Sequence, residues 1–506
     1  MRPYHNSRSY RSAKLVGMEW CVKIVRVMLV ALGCWQVASF GQSTDDLLGE
    51  VRRGDKEAWE RLHNMGNAGN ASAQMALGSL YQNGTDTVSK DLAQSARWYL
   101  LAAKQGEVHA QIWVGYAYMY GAGVAKDALE AAKWYQKAAD RGSELAQMSL
   151  GMLYRAGGRG VTPNLPLAAK WFRLAAERGE VVSQLSLAGM YEKGEGVPAD
   201  SKLAAFWYRK AAEQGNADAQ TELGRAYKYG RGVAQDPVLA AQWFRKAADQ
   251  GNDEGQSHLA EAYHSGDGVQ RNLPEAAKWH RMAAAQGNAV SQVLLGYAYH
   301  NGQGVPKDLA EAVQWFRKAA EQGYSTGQVA LGQAYRFGDG VPKDSAESVA
   351  WFRKAAIQDN ELGQLALGHA YANGDGVPKD AVLAASWYRR AAENGDATGQ
   401  AFLGDAYYRG EGVPKDWAES VKWFRKAAAQ GNAMGQSSLG RAYQKGEGLP
   451  KDAVLAYMWH NLAAAQGWNS SALYRKILEE TMGQAEIAQA QRLSREWLAS
   501  RQAPAQ

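Results

Sequence analysis

The side chains able to do chemistry are few and scattered. Nine histidines punctuate 506 residues, and the two cysteines, Cys21 and Cys34, both fall in the first 41. His264 and His300 stand 36 residues apart, each directly after a tyrosine. On neighbouring packed helices that interval means a separation of about 8–10 Å, long for a single ion and with only two ligands on offer. Solvent-exposed helix ends are expected there, with no metal and no cofactor. His280 and His460 each follow a tryptophan where equivalent segments carry Tyr or Phe, so both are expected to fill an aromatic slot. Three Gly-Asp-Gly turns, at 266–268, 338–340 and 374–376, lack the ligand spacing and closing glutamate of a calcium loop. No Gly-x-Ser-x-Gly, Ser-x-x-Lys, His-Glu-x-x-His or Gly-Lys occurs, which removes the common nucleophile, zinc-protease and phosphate-loop chemistries. No catalytic residue emerges, and the chain reads as a protein that is not an enzyme.

What positions these residues is a repeat. Eleven tryptophans, from Trp98 and Trp134 to Trp423 and Trp459, recur every 36 residues with a single interval of 37. A period of about 20–50 residues marks stacked supersecondary units that act through extended surfaces. Residues 216–251 show the unit. Ala219, Leu223, Ala226 and Tyr227 form an amphipathic helical stripe, capped by Asn216. Gly230 and Gly232 break that helix, and Asp236-Pro237 opens a second one with Leu239, Ala240, Trp243, Ala247 and Ala248 on its buried face. Elsewhere the second helix starts with a capping-box spacing, as in Asp308 with Glu311 and Asp416 with Glu419. Gly224, mid-helix, costs ~1 kcal/mol against Ala, so its recurrence is expected to admit the partner helix closely. The tryptophan is expected to fill the volume between units. The fold predicted is all-α, a superhelical solenoid of eleven 36-residue helix-turn-helix repeats with helical caps.

The pattern A/G-x-Q-x-x-L-G-x-x-Y, then G-x-G-V-P-K-D, then W-F/Y-R-K-A-A-x-x-G resembles the Sel-one-like repeat of the tetratricopeptide superfamily, over residues 70–467. Departures are local. The loop from Asn83 to Asp91 lacks the second glycine, Gly158 lies in a loop one residue longer, and Asp359 replaces a helix-terminal glycine. Residues 45–69 read as an N-terminal capping half-repeat and 468–506 as closing capping helices, since a bare solenoid end would expose apolar surface. The resemblance implies a scaffold that binds a protein or peptide in a concave groove lined by the first helices, in the assembly or regulation of cell-envelope complexes. A cell-envelope hydrolase and a general periplasmic holdase are the competing expectations. Lack of nucleophile motifs counts against the first.

Residues 1–41 read as a secretory leader. Arg2, Arg8, Arg11, Lys14, Lys23 and Arg26 precede an apolar run from Val27 to Trp35, and the small Ala38, Ser39 and Gly41 follow. The run is shorter than the ~20 residues a spanning helix needs. Met18 offers an alternative start, and Leu32-Gly33-Cys34 an alternative lipidation site that would anchor the protein to a membrane. The favoured location is periplasmic or secreted. Of the 57 basic and 51 acidic residues, six and one belong to the leader, which leaves residues 42–506 at +1. So balanced a charge gives no reason to expect nucleic acid.

Four recurring positions remain. An arginine two residues after the tryptophan, from Arg173 to Arg425, marks eight consecutive units. It reads either as an anion stripe or as same-helix ion pairs with Glu177, Glu213, Asp249, Glu321 and Glu393 four residues on, the latter favoured. A glutamine recurring from Gln74 to Gln436 is expected to stitch each helix to its neighbour's backbone. Two positions of the first helix vary between repeats. One reads Arg225, Glu261, Tyr297, Gln333, His369, Asp405 and Arg441; the other includes Lys228, His264, His300, Arg336 and Tyr408. Mixed polar and aromatic residues there suit a recognition surface, with unconstrained solvent exposure as the alternative.

Overall fold

A computed structural model describes residues 42–502, and among them every regular element is a helix. The leader reading, Cys21 and Cys34 included, lies outside the described residues. Two helices, α1 (Gln42–Arg52) and α2 (Lys56–Asn67), precede the repeats. The eleven first helices are α3 (Ala71–Asn83), α5 (Val108–Tyr120), α7 (Glu144–Ala156), α9 (Val181–Lys193), α11 (Ala217–Tyr229), α13 (Asp253–Ser265), α15 (Ala289–Asn301), α17 (Ser325–Phe337), α19 (Glu361–Asn373), α21 (Ala397–Arg409) and α23 (Ala433–Lys445). Second helices alternate with them from α4 (Leu92–Lys104) to α24 (Ala453–Ala465), and α25 (Asn469–Glu479) and α26 (Gln484–Gln502) follow. The chain forms two compact units, one ending at Trp243 and one beginning at Phe244. Within each, consecutive helices pack in antiparallel pairs, the expected solenoid of helix-turn-helix repeats. Some neighbouring first helices also touch directly: α7 with α9 in one unit, α15 with α17, α17 with α19 and α21 with α23 in the other.

Each boundary has a chemical cause. Asn216 Oδ1 accepts from Ala219 N at 2.8 Å and starts α11, and Gly230 closes it at φ 68. The second loop glycine has a steric reason that the sequence does not state: a Cβ on Gly340 would stand 2.1 Å from the Leu309 carbonyl oxygen, one repeat earlier. Asp359 holds the left-handed position where other repeats have glycine, with φ 62, and its carboxylate takes Arg390 at 2.9 Å. The capping box is only half made. Asp308 Oδ1 accepts from Glu311 N at 2.9 Å, but the Asp308 N–H donates to the Tyr299 carbonyl, so Glu311 Oε1 turns to Trp315 Nε1 at 2.9 Å instead.

The tryptophan ladder is buried or half-buried, with Trp315 at 8% exposure, yet the ring after it lies deeper: Phe316 and Phe352 are at 2%, Phe172 at 1%. That ring explains the mid-helix glycine. A Cβ on Gly332 would stand 2.7 Å from the Phe352 ring, and one on Gly404 2.6 Å from Phe424. The close approach foreseen at this position is thus a ring seated on a bare backbone. His280 and His460 occupy the same slot, at 5% and 0% exposure, each with Nδ1 3.2 Å from a serine hydroxyl of the next helix, Ser291 and Ser471.

The glutamine works as a stitch. Eleven times, from Gln74 to Gln436, the side-chain nitrogen donates to a backbone carbonyl eight residues earlier, at 2.9–3.5 Å. In most repeats its oxygen accepts from the amide 30 or 31 residues on, as Gln328 does from Gln358 at 2.9 Å. The arginine position departs from the same-helix reading. Arg173, Arg209, Arg281, Arg317, Arg353 and Arg389 donate at 2.6–2.9 Å to the tyrosine hydroxyl 18 residues on, in the next repeat, and Arg245 bonds Tyr263 likewise. A ring hydroxyl standing opposite the guanidinium offers a fixed partner, where the acid four residues on would have to immobilise two flexible chains.

Candidate partner-binding face

The ninth and twelfth residues of each first helix, the variable positions, fall on one face of it because three residues make nearly one turn. Arg225 and Lys228 stand on α11 in the first unit; Glu261, His264 and the others stand in the second. Few of these side chains are idle. Arg225 Nη1 meets Glu222 at 2.9 Å. Asp405 binds Arg409 at 2.8 Å and lies 4.0 Å from Arg441, whose guanidinium covers the Tyr408 ring at 4.2 Å. His369 Nδ1 is 3.2 Å from the Tyr388 hydroxyl, and its ring meets Phe402 edge-on at 4.5 Å. Burial pushes His369 below the ordinary imidazole range, and the Arg336 charge adds to the effect. Burial, then the Asp405 and Glu411 charges, push the Tyr388 hydroxyl up to about 12.

In the second unit the candidates join from repeat to repeat. Tyr297, His300 and Gln333 line one recess of about 180 Å³, floored by Phe316. Arg336 lines the next, of about 230 Å³, floored by Phe352 and shared with α19 through Ala366 and Ala370. Phe337, 65% exposed, is a wall of both. His369 then meets Phe402 of α21, and Asp405 and Tyr408 meet Arg441 of α23. A band of polar and aromatic side chains therefore runs over five first helices. Of the candidate residues, Gln333 within the band and His264 outside it on α13 are exposed, and the others are half-buried.

Sequence reading missed the partners of the twelfth residue. Arg155 reaches Glu195 at 3.1 Å, Glu192 reaches Arg231 at 3.6 Å, His300 reaches Asp339 at 3.4 Å and the Tyr408 hydroxyl donates to Glu447 at 2.9 Å. Each second partner is the middle residue of the next repeat's Gly-x-Gly loop. Part of the variation on this face is thus complementarity between repeats. Among the described residues no group of three His, Cys, Asp or Glu side chains could hold a metal, and no helix is long and apolar enough to cross a membrane.

The Sel1 repeat model matches eleven consecutive segments, 71–107, 108–143, 145–180, 181–216, 217–252, 253–288, 289–324, 325–360, 362–396, 397–432 and 433–468. Among solved structures, the chain is similar to c5321, a protective antigen present in uropathogenic Escherichia coli strains displaying an SLR fold, at 37% identity and a TM-score of 0.69 over 87% of this chain and 94% of that one. It is also similar to a Sel1 repeat protein from Oxalobacter formigenes, at 33% identity and a TM-score of 0.52 over 65% of this chain and 93% of that one. No curated protein matches it.

Proposed function

Because this chain belongs to the Sel1 repeat family, whose repeats generally bind proteins, we propose that it is a non-enzymatic scaffold holding a peptide segment or protein partner on its first-helix face. The observation that carries this reading is the band from Tyr297 to Arg441, where recesses, half-buried aromatics, the exposed Phe337 and charges occupy one continuous face. Interfaces draw on that mixture of aromatic anchors and arginine. The finer reading places the protein outside the cytoplasm, released by removal of residues 1–41 or anchored at a lipidated Cys34, in the assembly or regulation of envelope complexes. That the E. coli relative is a protective antigen accords with such a location.

The test is co-purification of partners with the full chain from the native cell envelope, wild type against Tyr297→Ala with Arg336→Ala. Loss of a specific partner is expected from a chain that still folds, its melting temperature lowered only by the lost Tyr297–Phe316 ring contact. Glu321→Ala with Glu393→Ala, at exposed ends of second helices, should leave capture intact. Equal capture by both double variants would refute the face assignment. Unselective capture of many unfolded chains would replace the scaffold with a holdase.

A further inference from the structure

The ring that follows the repeat tryptophan is covered in several repeats by a second ring from the next repeat. Tyr99 stacks on Trp113 at 4.4 Å between centroids, Phe244 on His258 at 4.9 Å and Tyr388 on Phe402 at 5.1 Å; His460 meets Tyr474 at 5.1 Å. The covering residue is the sixth of the following helix each time, Tyr474 standing on α25 beyond the last repeat. On α17 and α19 that residue is Ala330 and Ala366, which leaves no ring of the following helix over Phe316 or Phe352, although Tyr297 meets Phe316 edge-on at 5.0 Å from its own repeat. The two recesses lie there: Phe316 and Ala330 line the one of about 180 Å³, Phe352 and Ala366 the one of about 230 Å³. An apolar cavity of about 150 Å³ is enough to take up benzene, so each has room for an aromatic ring.

We propose that these two consecutive vacancies are side-chain sockets for an extended peptide, which supplies in trans the rings that Trp113, His258 and Phe402 supply within the chain. The proposal rests on the peptide-binding reading above and specifies its ligand. Neighbouring first helices pack about 8–10 Å apart, and a peptide in the polyproline II form rises about 3.1 Å per residue with three residues per turn, so its side chains at i and i+3 share a face. Two rings reaching adjacent sockets are therefore separated by three residues, an aromatic-x-x-aromatic motif. Phe337 forms the shared wall between them and is already exposed at 65%. The rim also has a sign. Arg336 and Lys343 outnumber Asp375 at the larger recess, while His300 and Asp339 face each other across the smaller. An acidic residue beside the second ring suits the larger socket.

The experiment uses fluorescein-labelled synthetic peptides in a Gly/Ser/Asp background, carrying one phenylalanine or two at i,i+1, i,i+3 or i,i+6, titrated by anisotropy against the full chain. The i,i+3 peptide is expected to bind at least tenfold more tightly than the others. Ala330→Phe and Ala366→Phe, which close a socket from within as Phe402 does, should each weaken it at least tenfold without lowering the melting temperature. Ala330→Ser and Ala366→Ser keep the sockets open and should bind normally, which covers the case of a phenylalanine variant that misfolds. Binding insensitive to spacing, or unchanged when the sockets are filled, overturns the proposal. If it fails while partner capture still depends on Tyr297 and Arg336, the socket inference falls and the scaffold reading stands. If capture is also insensitive to those residues, both fall.

Discussion

Arg155 on α7 pairs with Glu195 of the following repeat's loop at 3.1 Å, and one repeat on the same two positions carry opposite charges, Glu192 and Arg231, at 3.6 Å. The identity of either residue is free; only their complementarity is kept. The side chains of both pairs are 34–43% exposed, so solvent screening holds each pair to less than ~1 kcal/mol. The geometry makes them register markers between repeats more than sources of stability.

A double-mutant cycle tests this. Glu195→Arg places two arginines together and should cost up to ~1 kcal/mol, and adding Arg155→Glu should recover most of it. Urea unfolding at low salt is the measurement, because screening shrinks the coupling. A coupling of zero would mean two solvated side chains that happen to lie close.

Gly332→Ala is expected to destabilise the protein by about 1–3 kcal/mol, the usual cost of overpacking a core. On an exposed helix the same change gains ~1 kcal/mol, so the sign alone decides. The added Cβ would stand 2.7 Å from the buried Phe352 ring. Phe352→Leu in the same chain should return part of the loss, as judged by the urea midpoint. A stabilised Gly332→Ala would remove the ring-on-glycine contact from the account of the fold.

The period, the caps and the glutamine stitch were legible because each is local or strictly periodic. Trp315 and Gln328 recur in register, and Asn216 sits beside the helix it caps. The aromatic slot of Phe316 was visible, but not its depth, since Tyr, Phe and His share it and the volume between units was assigned to the tryptophan beside it. Pairing of Arg155 with Glu195 spans 40 residues, and that of His300 with Asp339 spans 39. Neither shows in a helix-length window, although opposite charges recurring one repeat plus three residues apart could have been sought. The arginine series misled because Glu321 lies at the right helical spacing from Arg317, whereas the Tyr335 hydroxyl comes within reach only when repeats stack. On the candidate face, variability at His300 and Asp405 was read as recognition or plain exposure, and contacts between repeats account for part of it.

Arg141 marks a defect that one substitution should repair. Where other repeats have Gln214 or Gln286, whose amide nitrogen bonds both a glycine carbonyl and the stitching glutamine, Arg141 bonds the Gly106 carbonyl alone. Gln111 Oε1 is left buried without a partner, and Gln147 Oε1 shares that state beside Arg178. An unsatisfied buried acceptor costs about 1–3 kcal/mol. Arg141→Gln restores the missing donor and should stabilise by ~1 kcal/mol, read as a higher melting temperature. Arg178→Gln should do the same independently, and a fall in stability for both would count against the bond.

Acid should weaken the second unit through His280 and His460. Burial holds each imidazole at about 4; for His280 the Glu261 charge opposes this and His264 assists, and for His460 the Arg441 charge assists. The unfolded imidazole titrates near 6.5, so between about pH 6.5 and 4 the unfolded chain binds more protons than the folded one. Stability is then fully present above about pH 6.5 and falls as the pH drops through that window. At about pH 5 the loss is about 2 kcal/mol per histidine, since each tenfold difference in proton affinity between the two states is worth ~1.4 kcal/mol. His280→Phe with Ala260→Gly and Ser291→Gly gives the slot the residues that surround Phe316, which has Gly296 and Gly327 at those positions, without a stranded hydroxyl. That variant should lose about half of the pH dependence of the urea midpoint between about pH 7.5 and 5. If its pH profile matched the wild type, His280 would have to be solvated and protonated in the folded state.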